Sequence, residues 1–332
     1  MTTPRDRDDA LPARSSVASR RRIHPAWWVA AVAFLALLAA AGFRAAPGAL
    51  MVPLHEEFGW STTIMSLAVS INLLLYGLTA PFAAALMDRF GVRQIVAAAL
   101  TLVALGAGGS VLMTASWQLL LFWGVLIGLG TGSMALVFAA TIANRWFVRR
   151  RGLVMGILTA GSATGQLIFL PPVAALAESS GWRVASLLVA GVAIAAVPVV
   201  WLVLRDHPAD RGVLPLGADP RTYTPPPRAT GNAAKRAIEG LAYASKKPSF
   251  WALVFAFAIC GATTNGLIGI HFIPSAHDHG MATTTAAGLL AVVGVFDIAG
   301  TIASGWLTDK FDPRILLVTY YAFRGVGLVL LP

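Results

Sequence analysis

The chain alternates long apolar runs with short polar breaks. Nine runs fall near 27–52, 62–86, 95–114, 118–143, 153–177, 184–204, 251–273, 283–307 and 315–331. Each approaches the roughly 20 residues a helix needs to cross a hydrocarbon core of about 30 Å. The pattern predicts nine membrane-spanning helices. Two of the breaks carry nearly the same phrase, ALMDRFGVR at 85–93 and GWLTDKFDPR at 305–314, placing Asp88 and Asp309 221 residues apart. A charged turn that recurs at corresponding places between membrane-length runs marks a protein built from two similar halves.

The breaks also alternate in charge. One set holds Arg89, Arg93, Arg145, Arg149, Arg150, Arg151, Lys310 and Arg314, whereas the other reads HEEFGW, ASW, ESSGWR and SAHDHGM, with Arg183 its only Lys or Arg. The bias of Lys and Arg toward one side puts the N-terminus and the 205–250 loop in the cytoplasm. The Pro- and Gly-rich start of that loop reads as a tether too polar to pack, and AAKRAIEGLAYASKK after it as a short helix on the membrane surface. The predicted organisation is a cytoplasmic tail (1–26), a six-helix bundle (27–204), a linker with an amphipathic helix (205–250) and an incomplete bundle of about three helices (251–332). Symmetry between the halves leads us to expect about three more helices after Pro332, making this a natural short form, a fragment or a truncated reading frame.

Composition agrees with a bilayer setting. The chain is 57% hydrophobic and 12% charged, with mean hydropathy +0.72, against about 25% charge in soluble domains. A net charge of +10 raises the question of nucleic acid. The bases are scattered between apolar runs, however, and form no continuous face. The lone Cys260 excludes a disulfide framework, and His277, Asp278 and His279 lack a fourth partner for a metal. GLGTG at 128–132 lies inside an apolar run with no preceding strand, so it reads as helix packing and not as a dinucleotide loop. No catalytic constellation and no phosphate loop are present in the sequence, and we expect neither enzyme activity nor a cofactor or metal.

Charges inside apolar runs are costly, about 2.5 to 3.5 kcal/mol on insertion scales, and point to function. Arg44 precedes Pro47 and Gly48 in the first run, Asp297 lies in the eighth and Arg324 in the ninth. Arg44 either faces the bundle interior or snorkels to the outer interface. Asp297 and Arg324 either form a permanent ion pair, or Asp297 takes up a proton while Arg324 or Arg44 receives an anion. His271 reads equally as a gate or pH sensor and as an interfacial residue. Asn72, Tyr76, Gln166 and Asn265 are cavity liners or interhelical hydrogen-bond donors.

The repeated junction resembles that of the major facilitator superfamily, Gly-x-x-x-Asp-Arg-x-Gly-Arg in type. Asp88, Arg89, Gly91 and Arg93 match, with Ala84 at the leading glycine; the second copy keeps Gly305, Asp309, Lys310 and Arg314, with Asp312 for the inner glycine. The resemblance covers about 27–332. It implies an all-α membrane protein working by alternating access, with these eight residues gating. NRWFVRRRGLVMGILTAGSATGQ at 144–166 and RDHPADRG at 205–212 look like the monocarboxylate and oxalate/formate porter branch. Gly124 stands where many proton-driven drug exporters carry Arg. Thr301 stands where animal monocarboxylate carriers have their anion-binding Arg.

These readings combine into one expectation: a monomeric transporter in a bacterial-type inner membrane, moving a monocarboxylate-like anion by proton symport. Arg44, Arg324, Asn72, Tyr76, Gln166 and Asn265 would bind substrate, and Asp297 and His271 would couple protons. The alternatives are an exporter of neutral or amphipathic compounds and a non-transporting membrane protein.

Overall fold

The computed structural model describes residues 24–221, 223–224, 232–261, 263–264 and 283–329. Six helices among them are long and apolar enough to cross a membrane. They are α1 (Pro25–Phe58), α2 (Thr62–Phe90), α3 (Val92–Ser110), α4 (Ser116–Trp146), α5 (Arg151–Ser179) and α6 (Trp182–Val203). The amphipathic α7 (Ala233–Ala244) follows, then α8 (Pro248–Gly261), α9 (Thr283–Thr308) and α10 (Pro313–Val329).

Local chemistry sets the boundaries. Pro25 opens α1, where its missing N–H costs nothing, and the His24 ring accepts from the Ala26 N–H at 3.2 Å. The helix runs through Pro47 and Pro53 to Gly59, whose left-handed conformation (φ +67°) lets its N–H reach the His55 carbonyl at 2.8 Å. The first run therefore extends past its apolar part and carries Glu56 and Glu57. A π-helical turn over Leu120–Leu126 interrupts α4, widening the helix where Gly124 meets Ile71.

Within a membrane, helices associate by close packing more than by water exclusion, and small residues permit it. α1 packs on α5, α3 on α6, α2 on α4, and α9 on α5. A Cβ on Gly165 of α5 would lie 2.7 Å from the Leu38 carbonyl oxygen of α1. The GLGTG run presses on two neighbours: Cβ atoms would approach Asn72 and Tyr76 of α2 from Gly128 and Gly132, and the Ala99 carbonyl of α3 from Gly130 at 2.7 Å. This matches its reading as a packing surface. Trp123, Trp146, Phe138 and Leu100 fill the spaces between, each fully buried. The buried hydroxyls of Ser110 and Thr131 donate to Ala107 and Ile127 carbonyls one turn back, at 2.6 and 2.8 Å.

The start of the loop after α6 departs from expectation. It packs. Leu204, Pro208 and Pro215 are buried, the Leu216 N–H donates to the Trp146 carbonyl at 2.8 Å, and the Leu216 carbonyl accepts from Val148 N–H at 2.9 Å. Apolar residues spaced among the charges give this segment something to bury, and its backbone groups find partners where α4 turns into α5. Composition averaged over the whole loop hides that local pattern.

Candidate gating junctions and intramembrane charges

Asp88 stands in the last turn of α2. Its carboxylate accepts from Arg145 of α4 at 2.6 Å and lies 3.7 Å from Arg236 of α7. Arg145 is largely buried, with 12% of its side chain exposed, and its guanidinium also reaches the Asp206 carbonyl at 3.4 Å. Among the described residues Asp88 thus holds two arginines. The capping carboxylate here is Asp206, which accepts from the Arg93 N–H at 3.0 Å at the start of α3, where the helix dipole favours an anion. Gly91 makes this possible twice over, with φ +96° and no Cβ, which would otherwise sit 2.4 Å from Asp206 Oδ2. The Arg93 guanidinium stacks 4.5 Å from the Trp201 ring, and Arg89 lies 5.0 Å from that of Phe90.

At the second junction a carboxylate does cap a neighbour. Asp309 accepts from Gly152 N–H at 2.7 Å and Leu153 N–H at 2.9 Å, two of the four amides that α5 cannot satisfy internally. The approach depends on glycine on both sides: a Cβ on Gly156 would lie 2.7 Å from the Thr301 carbonyl and one on Gly305 2.4 Å from that of Gly152. Arg150, immediately before α5, holds φ +63°, which costs an L-residue about 1 to 2 kcal/mol. Lys310 sits 3.8 Å from the Trp306 ring. Asp312, found where the motif has glycine, accepts from the Arg314 N–H at 2.8 Å and so caps α10.

The intramembrane residues separate into groups. Asn72 donates to the Trp123 carbonyl at 2.7 Å, bracing α2 on α4, and Tyr76 is half-buried next to it on α2. Arg44 lies on α1 and Gln166 on α5, with side chains outside the described residues; Asn265 and His271 lie wholly outside them. Asp297 and Arg324 do not form the ion pair considered from sequence. Arg324 turns toward α8, donating to Cys260 Sγ at 2.9 Å and to Thr264 Oγ1, while Asp297 is exposed and has no ion-pair partner among the described residues. Asp297 lines a cavity of about 410 Å³ with Phe296, Thr301, Ser304 and Tyr320. Arg324 lines one of about 600 Å³ with Phe257, Cys260, Leu317, Tyr320 and Tyr321. Tyr320 and Arg324 share a face of α10 at i, i+4 spacing, so Tyr320 borders both spaces.

Sequence reasoning missed the clamp at the opposite end of the bundle. Glu57 accepts from both Arg183 terminal nitrogens at 2.6 and 2.8 Å and from Trp182 Nε1 at 2.6 Å. The Arg183 hydrogen bonds, with that from Trp182, hold the Glu57 carboxyl below its ordinary pKa. The only signal was opposite charge on two breaks of the less basic face. Arg145 and Asp206 were likewise visible as charges but not as partners.

A family model described as Major Facilitator Superfamily matches residues 32–332. Monocarboxylate transporter 11 of Mus musculus is 31% identical over 314 residues, covering 91% of this chain and 64% of the relative. The Bacillus subtilis (strain 168) protein named Uncharacterized MFS-type transporter YcxA is 26% identical, covering 92% and 71%. The chain thus spans about two thirds of the length of these relatives. Among solved structures, the proton:xylose symporter XylE bound to 6-bromo-6-deoxy-D-glucose matches with a TM-score of 0.58 at 16% identity, over 86% of this chain and 70% of that one.

Proposed function

The chain belongs to the major facilitator superfamily, and from that premise we propose that it carries a small monocarboxylate-like anion across the membrane by alternating access, in symport with protons. The observation that carries this reading is the separation of Asp297 and Arg324. Each borders its own cavity with Tyr320 between them, and neither charge is cancelled by the other. Among the described residues Arg324 has no carboxylate partner and Asp297 no ion-pair partner; a guanidinium so placed can receive a carboxylate bidentately, and Asp297 is the acidic group assigned to carry the proton. Arg44 joins Arg324 as a substrate cation, leaving the path net positive before the anion arrives. His271 assists proton transfer, and Tyr76, Gln166 and Asn265 line the path.

In this mechanism the two junctions lock the basic face closed. Asp309 holds α9 on the start of α5 through two hydrogen bonds, and Asp88 gathers α2, α4 and α7 through Arg145 and Arg236. Such contacts are charge-dependent and easily exchanged for water, which suits a gate. The basic face is cytoplasmic, the membrane is a bacterial-type inner membrane, and the unit is a monomer. The segments before and after 205–250 act as the two rocking bodies.

The test is uptake of radiolabelled small carboxylates into proteoliposomes by the wild type, Arg44→Ala and Arg324→Gln. Loss of uptake at normal membrane abundance in both variants is expected. Unchanged uptake in either removes that arginine from the path, and competition by neutral amphipathic compounds as strong as by carboxylates would favour the exporter reading.

A further inference from the structure

The helix α7 uses only part of its surface against the bundle. Ala237 is buried on Ala85 of α2, and Arg236, Gly240, Leu241 and Ala244 line the same groove beside Asp88. Beyond the groove its apolar surface is open: Ile238 is 58% exposed, and Leu241, at the groove's edge, is still 38% exposed. Lys235 flanks the stripe, 3.8 Å from Glu239, and Lys246 and Lys247 follow the last turn. From 232 to 247 the segment carries four bases against one acid, and Arg236 is the base committed to Asp88.

The chain also joins this helix directly to an apolar one. α8, an apolar helix, begins at Pro248, and Trp251 Nε1 on its first turn donates back to the Ser245 carbonyl at 2.8 Å. Tyr243 and Trp251 are 66% and 49% exposed, and Lys247 lies 5.3 Å from the Tyr243 ring. Tyr and Trp favour the headgroup level, and cationic amphipathic helices there bind anionic leaflets with about 1 kcal/mol from each base near the surface.

We infer that α7 is a docking helix for anionic phospholipid: Ile238 and Leu241 enter the acyl boundary of the leaflet on the basic face, while Lys235, Lys246 and Lys247 take lipid phosphates. Arg236, on the bundle side, ties the docked helix to Asp88, so the lipid composition of that leaflet bears on the first junction. A lipid surface fits better than a folded protein because covalent continuity with α8 already places the open stripe at the boundary.

The experiment is hydrogen exchange of the segment 233–247 in the full chain, in nanodiscs of phosphatidylcholine alone and with about 30 mol% phosphatidylglycerol. Exchange slowed about tenfold or more by the anionic lipid is expected, with the slowing abolished by Lys235→Gln, Lys246→Gln and Lys247→Gln together and reduced by Ile238→Ser. Equal exchange of the wild type in both compositions overturns the inference, whatever the variants do. Equal protection by about 10 mM inorganic phosphate in neutral nanodiscs overturns the lipid assignment in favour of a free anion, and protection that rises with protein concentration assigns the face to a second copy. None of these readouts depends on transport.

Discussion

Replacing Asp309 by Asn isolates the charge of the second junction while keeping its shape. The carboxylate accepts two hydrogen bonds at 2.7 and 2.9 Å from Gly152 and Leu153. The amide that replaces it has one acceptor, and its NH2 would face a donor. Loss of a helix-capping side chain costs about 0.5 to 2 kcal/mol, and loss of an anion at a helix N-terminus about 0.3 to 1 kcal/mol at exposed sites. These overlap, and the site is exposed, so the net effect is about 1 kcal/mol, or roughly a fivefold change in the ratio of closed to open junction. The Gly152 and Leu153 amides have no partner within α5, so their exchange with deuterium reports the junction directly. The Gly152 and Leu153 amides, read in peptides covering 150–158, should exchange about fivefold faster in Asp309→Asn, while peptides within α3 and α6 stay unchanged. Exchange equal to wild type in 150–158 would refute the idea that Asp309 holds α9 on α5.

Three further outcomes follow from contacts elsewhere. Gly156→Val forces side-chain atoms onto the Thr301 backbone and should lower thermal stability in detergent by about 1 to 3 kcal/mol; an unchanged melting temperature would contradict the close approach. Asn72→Leu removes one interhelical hydrogen bond worth about 0.6 kcal/mol, and the donation of Asn72 to the Trp123 carbonyl predicts carboxylate uptake within about twofold of wild type; a larger loss would return Asn72 to the substrate path. At Glu57 the folded pKa is depressed by Arg183 and Trp182, so its contribution is present above the unfolded value of about 4.3 and is lost as pH falls through the lower folded value. Wild type and Glu57→Gln should differ in melting temperature by a constant amount above about pH 5 and converge in more acid solution; a gap that widens there would reverse the sign assigned to the clamp.

Long apolar runs made the first six helices legible, because crossing a membrane demands length and composition that few other tasks require. The runs at 62–86 and 184–204 agree with Thr62–Phe90 and Trp182–Val203 to within four residues at every end. Polar ends were harder. α1 continues through two prolines to Glu57 because neighbouring packing tolerates the lost hydrogen bonds, and hydropathy does not report packing. Charges were legible as charges, but their partners were not: Asp88 meets Arg145 across 57 positions, Arg93 meets Asp206 across 113, and Arg183 meets Glu57 across 126. Only the fold brings such pairs together. The repeated junction suggested equal roles for its two aspartates, yet Asp309 caps a helix while Asp88 binds side chains, because Arg145 and Arg236 converge on Asp88 and bare amides face Asp309.

Proton symport with a carboxylate is the centre of the account, and the most direct measurement records both partners in one vesicle. Proteoliposomes loaded with a pH-sensitive dye, with no preset gradient, receive a small radiolabelled carboxylate outside. The account predicts lumen acidification in step with label uptake, both lost in Asp297→Asn. Label uptake without acidification, or acidification that survives the loss of Asp297, would contradict it.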